Sequence, residues 1–197
     1  MLKQYFRQLY QKAKWSKLAD VYRYIKYPHY RRSLRTEMLF FSNLIKPDAM
    51  VFDIGANVGR KTFLFLRLKA KNIIAVEPSP DCLNALACRF SKNKRVEIIA
   101  RAVSDRETTE ALFMSTRHTE CNTLSSKWMQ TLEDQHKTRF EGTVVFDETM
   151  KISTTTLDHL ILRFGTPDVI KLDIEGFELQ ALRGLSRKVK LDRKSVV

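Results

Sequence analysis

Three acidic residues stand where a parallel sheet could use them. Asp53 follows the apolar pair Val51-Phe52, Glu77 ends the run Ile73-Ile74-Ala75-Val76, and Asp173 ends the buried-strand pattern Val169-Ile170-Lys171-Leu172. After Asp53 comes a tight turn, Gly55-Ala56-Asn57-Val58-Gly59, and then the helical pattern Lys61-Thr62-Phe63-Leu64-Phe65-Leu66. A strand, a glycine turn and a helix start place a nucleotide-like ligand at the carboxyl edge of a parallel sheet. Gly55 allows the sharp turn. Gly59 lets a ligand or the next element approach the backbone without a Cβ in the way. Glu77, at the end of the second strand, is placed to accept hydrogen bonds from both hydroxyls of a ribose. Together the pieces read as an adenosine site.

The same residues narrow the ligand. A phosphate-binding P-loop needs a second glycine where this chain has Arg60, ahead of Lys61-Thr62, and the Arg60 Cβ would crowd a loop that must wrap phosphates. The dinucleotide fingerprint, counted from Gly55, has glycines where Asn57 and Arg60 stand. A carboxylate at the strand end, Asp53, also repels a pyrophosphate. S-adenosylmethionine carries an adenosine, an ammonium, a carboxylate and a sulfonium but no phosphate, and it suits an acidic strand end beside a glycine turn.

The whole chain sets the limits. Its 197 residues suffice for one domain with a sizeable core. No apolar run approaches the roughly 20 residues of a membrane span, and the N-terminus lacks the apolar stretch of a secretory signal. Cys82, Cys88 and Cys121 form no paired motif, which fits reduced thiols in a cytoplasmic protein. His29, His118, His136 and His159 show no ligand spacing, so no metal site is expected. The net charge of +13 is uneven: residues 1–36 hold ten Lys/Arg against Asp20 alone, together with all six tyrosines and Trp15. Basic residues interleaved with amphipathic aromatics suit peripheral contact with an acidic membrane surface. The alternative is a helical pair that packs its tyrosines onto the domain and leaves the lysines in water. No specific nucleic-acid motif is present, so nucleic acid is not the expected partner.

The elements that must position these residues follow from periodicity. Residues 2–14 and 16–27 read as helices, Pro28 as a break, and Ser33 as the cap of a third helix through Leu44. Strands are expected at 50–54, 72–77 and 96–100, the last continuing toward Ala102-Val103, with helices at 59–69 and 80–91 between them. Ser79 and Pro80 mark the start of the second of these helices. Extended stretches at 108–114 and 142–153 could form a hairpin on the flank. Residues 116–141 read as a loop and short helix over the ligand edge. A helix at 155–164, a strand at 168–173 and a helix from Phe177 to Leu185 complete an alternation that argues for a doubly wound, mainly parallel α/β sheet.

Five motifs in this order resemble the FkbM family of S-adenosylmethionine-dependent methyltransferases: Val-Phe-Asp-Ile-Gly-Ala-Asn-Val-Gly at 51–59, Val-Glu-Pro-Ser-Pro at 76–80, Ala-Val-Ser-Asp at 102–105, Thr-Thr-Leu-Asp at 155–158 and Ile-Lys-Leu-Asp-Ile-Glu-Gly-Phe-Glu at 170–178. The likeness covers about residues 50–185. It implies a Rossmann-like class I methyltransferase fold preceded by N-terminal helices. Asp53, Gly55, Ala56, Asn57 and Gly59 would then form the turn under the methionine part of the cofactor. Glu77 would hold the ribose, with Pro78 and Ser79 shaping the wall. Ser104 and Asp105 would lie near the adenine, and Asp173 and Glu175 near the transferable methyl. Cys121-Asn122-Thr123-Leu124 would line the pocket entrance. The class I sheet has seven strands in the order 3-2-1-4-5-7-6. Candidates for strands 1 to 4 are present, so the sequence reads as a partial domain over 46–191 behind a basic helical segment over 1–45, with 192–197 a non-native tail of a truncated gene product.

Methyl transfer is an in-line displacement, and the protein's task is mainly to align acceptor oxygen, methyl and sulfur. A hydroxyl acceptor must also lose a proton. Asp173, held rigidly at a strand end, is the first candidate base and Glu175 the second. Family members generally methylate hydroxyls on saccharides, lipids or secondary metabolites. Two other readings remain open at this point: a module that binds an adenosine ligand without turnover, and a nucleic-acid methyltransferase guided by the basic segment.

Overall fold

The computed structural model describes residues 17–115, 118–134 and 144–186. The helix expected over 2–14 and the tail at 192–197 lie outside these residues. In chain order the elements begin with α1 (Lys17–Lys26), α2 (Pro28–Ser42), β1 (Met50–Ile54), α3 (Arg60–Arg67), β2 (Asn72–Val76), α4 (Pro80–Phe90) and β3 (Val96–Ile99). They continue with β4 (Ala102–Val103), β5 (Thr109–Met114), α5 (Ser126–Asp134), β6 (Glu148–Thr155), α6 (Leu157–Phe164), β7 (Val169–Leu172) and α7 (Glu178–Arg183).

Strands β3, β2, β1 and β7 pair in that order, all in parallel. The expected doubly wound sheet is therefore present, in the order that places the third, second, first and fourth strands of a class I methyltransferase side by side. Its strands are apolar on both sides because helices cover both. Val51, Ile73 and Val169 pack with Leu34 and Phe41 of α2 and with Leu64 and Phe65 of α3. On the opposite face Phe52, Ile54, Ile74 and Val76 pack with Leu157, Leu160 and Ile161 of α6 and Ala181 of α7. Each large side chain buried here stabilises the fold by about 1.5–3 kcal/mol relative to exposure.

Two sequence expectations shift. Helix α2 starts at Pro28 rather than Ser33, because proline in a first helical turn lacks only an N–H that has no partner there anyway. The third strand does not run on into Ala102-Val103. The Arg101 N–H donates to the Ile99 carbonyl at 3.0 Å, which turns the chain out of the sheet at Ala100. Strand β4 then pairs in parallel with β6. The expected flank hairpin forms, with β5 antiparallel to β6 from Thr109 opposite Ser153 to Met114 opposite Glu148. Its second strand begins at Glu148, later than the expected 142.

Of the described tyrosines, Tyr30 of α2 is half-buried beneath the Arg60 guanidinium, and the others face outward. Tyr22, Tyr24 and Tyr27 are exposed, as is Ile25, and the Lys26 ammonium sits over the Tyr22 and Tyr27 rings. Among the described residues no helix is long and apolar enough to cross a membrane.

Candidate active site

The carboxyl ends of β1, β2 and β7 meet at one cleft. It is lined by Gly55, Asn57, Glu77, Pro78, Asp173 and Glu175 of the expected site, and it encloses about 510 Å³ with its open mouth included.

The turn after β1 is shaped from both sides. The Gly55 and Ala56 N–H groups both donate to the Val76 carbonyl at 3.0 Å, which ties the turn to the end of β2. Gly55 has φ +72°, and a Cβ there would lie 2.0 Å from the Asp173 carbonyl oxygen. Only glycine lets β1 and β7 end so close together. Gly59 serves a different neighbour. A Cβ at Gly59 would meet Phe90 and Leu86, so this glycine admits α4, neither a ligand nor the helix that follows it.

Glu77 joins two loops. Its Oε2 accepts from the Asn57 N–H at 2.8 Å and its Oε1 from the Ser79 N–H at 2.9 Å. Each oxygen keeps a further lone pair for a ligand hydroxyl. Burial pushes the Glu77 carboxyl up to about 6, against the lowering effect of the two backbone donors and Lys171.

Asp53 takes a place that its strand-end position did not reveal. It lies on the same face of β1 as Val51, fully buried under α3, and its Oδ2 accepts from the Thr62 hydroxyl at 2.6 Å. The strand register sets Lys171 of β7 directly beside it. The Lys171 ammonium lies 3.2 Å from Asp53 Oδ1 and 3.6 Å from Asp173 Oδ2, and it donates to the carbonyls of Ile54 at 3.1 Å and Gly55 at 2.7 Å. The Oδ1 contact is a charge contact and not an aligned hydrogen bond. The sequence alone gives Lys171 no role. A lysine inside an apolar strand is a signal in itself, since such a group is rarely buried unpaired.

The segment after β5 forms one rim of the mouth. Asn122, Thr123 and Leu124 line the cleft, whereas Cys121 is buried behind them. The Thr123 hydroxyl donates to the Glu175 carbonyl at 2.7 Å. Trp128 of α5 donates from Nε1 to Glu175 Oε2 at 3.2 Å, and its indole stands where a Cβ at Gly176 would be. Glu175 itself has φ +51°, a left-handed conformation held by these contacts.

The remaining expected residues do not reach the cleft lining. Asp53, Ala56 and Gly59 support the turn from behind, and Ser79 is buried at the start of α4. Ser104 and Asp105 lie past the corner at Ala100, where the Ser104 N–H donates to the Thr155 carbonyl at 2.9 Å. Arg101, Ala102 and Val103 occupy the wall instead. The cleft therefore presents four carboxylates (Glu77, Glu120, Asp173, Glu175) against one guanidinium, Arg101. Such a lining disfavours phosphates and suits a ligand with positive charge and free hydroxyls.

The sheet order, the glycine turn and the acidic cleft define a Rossmann-like α/β domain of the methyltransferase kind. The model of the methyltransferase FkbM domain matches residues 53–197, and the chain belongs to that family. It is 27% identical over 157 residues to the 2-O-methyltransferase NoeI of Sinorhizobium fredii, covering 77% of this chain and 63% of that protein's length. A solved structure, the candidate RNA methyltransferase PH1948 of Pyrococcus horikoshii, aligns over 39% of this chain and 40% of its own at 21% identity and a TM-score of 0.34.

Proposed function

We propose that this chain carries the donor site of an S-adenosylmethionine-dependent O-methyltransferase acting on a hydroxyl of a saccharide or lipid-linked acceptor. The observation that carries the reading is the acid-lined cleft, with Glu77 held between the two loops that would embrace an adenosine. The donor-side residues present fit the group: Glu77 for the ribose hydroxyls, Gly55 and Asn57 for the amino-acid end, and Asp173 and Glu175 for the cationic centre. S-adenosylmethionine, when bound, supplies a methyl group already activated by its sulfonium. The similarity to a 2-O-methyltransferase supports oxygen as the acceptor atom.

Asp173 is the base in this reading. Its side chain is 61% exposed, so it can meet an incoming hydroxyl, and the Lys171 ammonium lies 3.6 Å away. Asp173 would accept the proton that the acceptor hydroxyl loses on methylation, its carboxylate held at the mouth of the cleft. Glu175, tied to Trp128 and Thr123, shapes the cleft and adds negative charge opposite the donor.

Calorimetry and a labelled-methyl transfer assay test the reading. S-adenosylhomocysteine should bind, NAD should not, and Asp173→Asn should lower turnover by about 10²–10⁴-fold while keeping S-adenosylhomocysteine affinity. Binding of NAD in place of both sulfur nucleotides would overturn the assignment. The exposed Tyr22, Tyr24, Ile25 and Tyr27 beside Arg23 and Lys26 also support peripheral contact of α1 with an anionic surface. Sedimentation with phosphatidylserine vesicles, and loss of binding in high salt, checks that contact.

A further inference from the structure

The rim segment holds Glu175 from two directions. Thr123 is buried, and its backbone exchanges both hydrogen bonds with Phe113 of β5, at 2.8 and 3.0 Å, so the hairpin sets its place. The Thr123 hydroxyl accepts from the Ser125 N–H at 2.9 Å, which leaves its single proton for the Glu175 carbonyl at 2.7 Å. The Ser125 hydroxyl in turn accepts from the Trp128 N–H at 3.1 Å, and the Trp128 indole returns to the Glu175 carboxylate. This circuit fixes both the backbone and the side chain of one residue. Glu175 needs that hold, because its left-handed backbone is unfavourable for a residue with a Cβ.

The strand order says what the carboxylate meets. The strands end in the order β2, β1, β7. A ligand whose ribose is held at Glu77 and that crosses the turn after β1 carries the atoms beyond its ribose toward the end of β7. In S-adenosylmethionine the first of those beyond the ribose carbons is the sulfonium. Two carboxylates follow β7. The Lys171 ammonium beside Asp173 offsets its charge, whereas Thr123 and Trp128 hold Glu175 with neutral groups. S-adenosylhomocysteine keeps the same adenosine and amino acid but lacks the methyl group and its positive charge. A carboxylate fixed at this end of the cleft favours the charged ligand over the neutral-sulfur one.

We infer that Thr123 is a positioning residue, and that through Glu175 it lets the cleft distinguish the methyl donor from its demethylated product. The inference rests on the methyltransferase reading above and adds how that site tells the two states of its cofactor apart. A carboxylate already held in place needs little ordering when the ligand arrives. The charge that it recognises disappears on methyl transfer, so the contact that captures the donor lets the product leave.

The test uses the full chain without acceptor and reads, by calorimetry, the ratio of its affinities for S-adenosylmethionine and S-adenosylhomocysteine. Thr123→Val keeps the shape of the side chain and removes the hydroxyl, and Thr123→Ser keeps the hydroxyl. Thr123→Val should lower the donor-over-product ratio by about fivefold or more, and Thr123→Ser should hold it within about twofold of wild type. Glu175→Gln removes the charge itself and should lower the ratio at least as far. Thr123→Val added to Glu175→Gln should lower it no further, because both act through one group. Thr131→Val, which removes a hydroxyl bonded within α5, should leave the ratio unchanged. If Thr123→Val does not fold, Trp128→Phe removes the other hold on the same carboxylate and should lower the ratio in its place. Equal weakening of both ligands in Thr123→Val, or an unchanged ratio in Glu175→Gln, overturns the inference alone. Failure of wild type to bind either ligand overturns the methyltransferase reading, and the inference with it.

Discussion

Lys171 stands beside Asp53 across the β1–β7 pairing, and its ammonium reaches both that carboxylate, at 3.2 Å, and the Gly55 carbonyl, at 2.7 Å. One buried cation thus ties the central strand pair to the glycine turn at the floor of the cleft. Asp173, just past the end of β7, lies further from that charge, at 3.6 Å. The site is organised around a lysine that touches no ligand-facing space in the donor cleft.

Removing the lysine leaves Asp53 buried without its counter-charge. Lys171→Met is expected to destabilise the fold by about 3–5 kcal/mol, the cost of breaking a buried pair from one side. Urea denaturation measures it. A loss below about 1 kcal/mol would mean that Thr62 alone satisfies Asp53.

Glycine positions separate by what their missing Cβ would strike. Gly55→Ala forces a methyl against the Asp173 backbone and strains a positive φ, so a loss of about 2–5 kcal/mol and an abolished cleft are expected. Gly59→Ala also strains a positive φ, but it presses on the side chains of Phe90 and Leu86, which can shift, and should cost less. Thermal melts of the two variants, with S-adenosylhomocysteine titrations, rank them. The reverse order would contradict this account of the turn.

Much of this arrangement was legible before the structure. Parallel strands buried on both faces read as mainly apolar runs, and Val51–Ile54, Ile73–Val76 and Val169–Leu172 are such runs, interrupted only by Asp53 and Lys171, with Glu77 and Asp173 just beyond two of them. The corner at Ala100 was not legible, because Val96–Ile99 and Ala102-Val103 look like one strand. Only long-range pairing of Ala102-Val103 with Thr154-Thr155 separates them; β4 stays in the cleft wall, and Ser104 and Asp105 just after it do not line the cleft. The roles of Asp53 and Lys171 were hidden for a related reason. A residue's identity gives its charge, but the register between β1 and β7 decides that two such charges meet. Glu77 and the Gly55–Asn57 turn were readable because their contacts are local to two loop starts.

Trp128 should report on ligand binding. Its indole N–H is bonded to Glu175, which lines the cleft, so a ligand that engages that carboxylate changes the polarity around the ring. Addition of S-adenosylhomocysteine should shift or quench tryptophan emission, and Trp128→Phe should remove that response. A response of full size in Trp128→Phe would show that the signal comes from elsewhere.

Glu77 links stability and binding to pH with opposite signs. Its carboxyl is raised from the ordinary 4.5 to about 6, so between those values the folded protein holds a proton that the unfolded chain has lost. The stabilising contribution is fully present below pH 4.5 and is lost as pH rises through 6, amounting to about 2 kcal/mol for this rise of about 1.5 pH units at 1.36 kcal/mol each. Ligand binding runs the other way. The ionised carboxylate is the better acceptor for ribose hydroxyls, so affinity for S-adenosylhomocysteine should rise from pH 5 to pH 7 by up to about tenfold, following ionisation of a single group near 6. Calorimetry across that interval reads the slope. Glu77→Gln, which cannot ionise, should flatten it and bind weakly throughout, since the amide must also turn an N–H toward the donor of Asn57 or Ser79. An unchanged slope in Glu77→Gln would place the titrating group elsewhere and leave Glu77 a purely structural tie between the two loops.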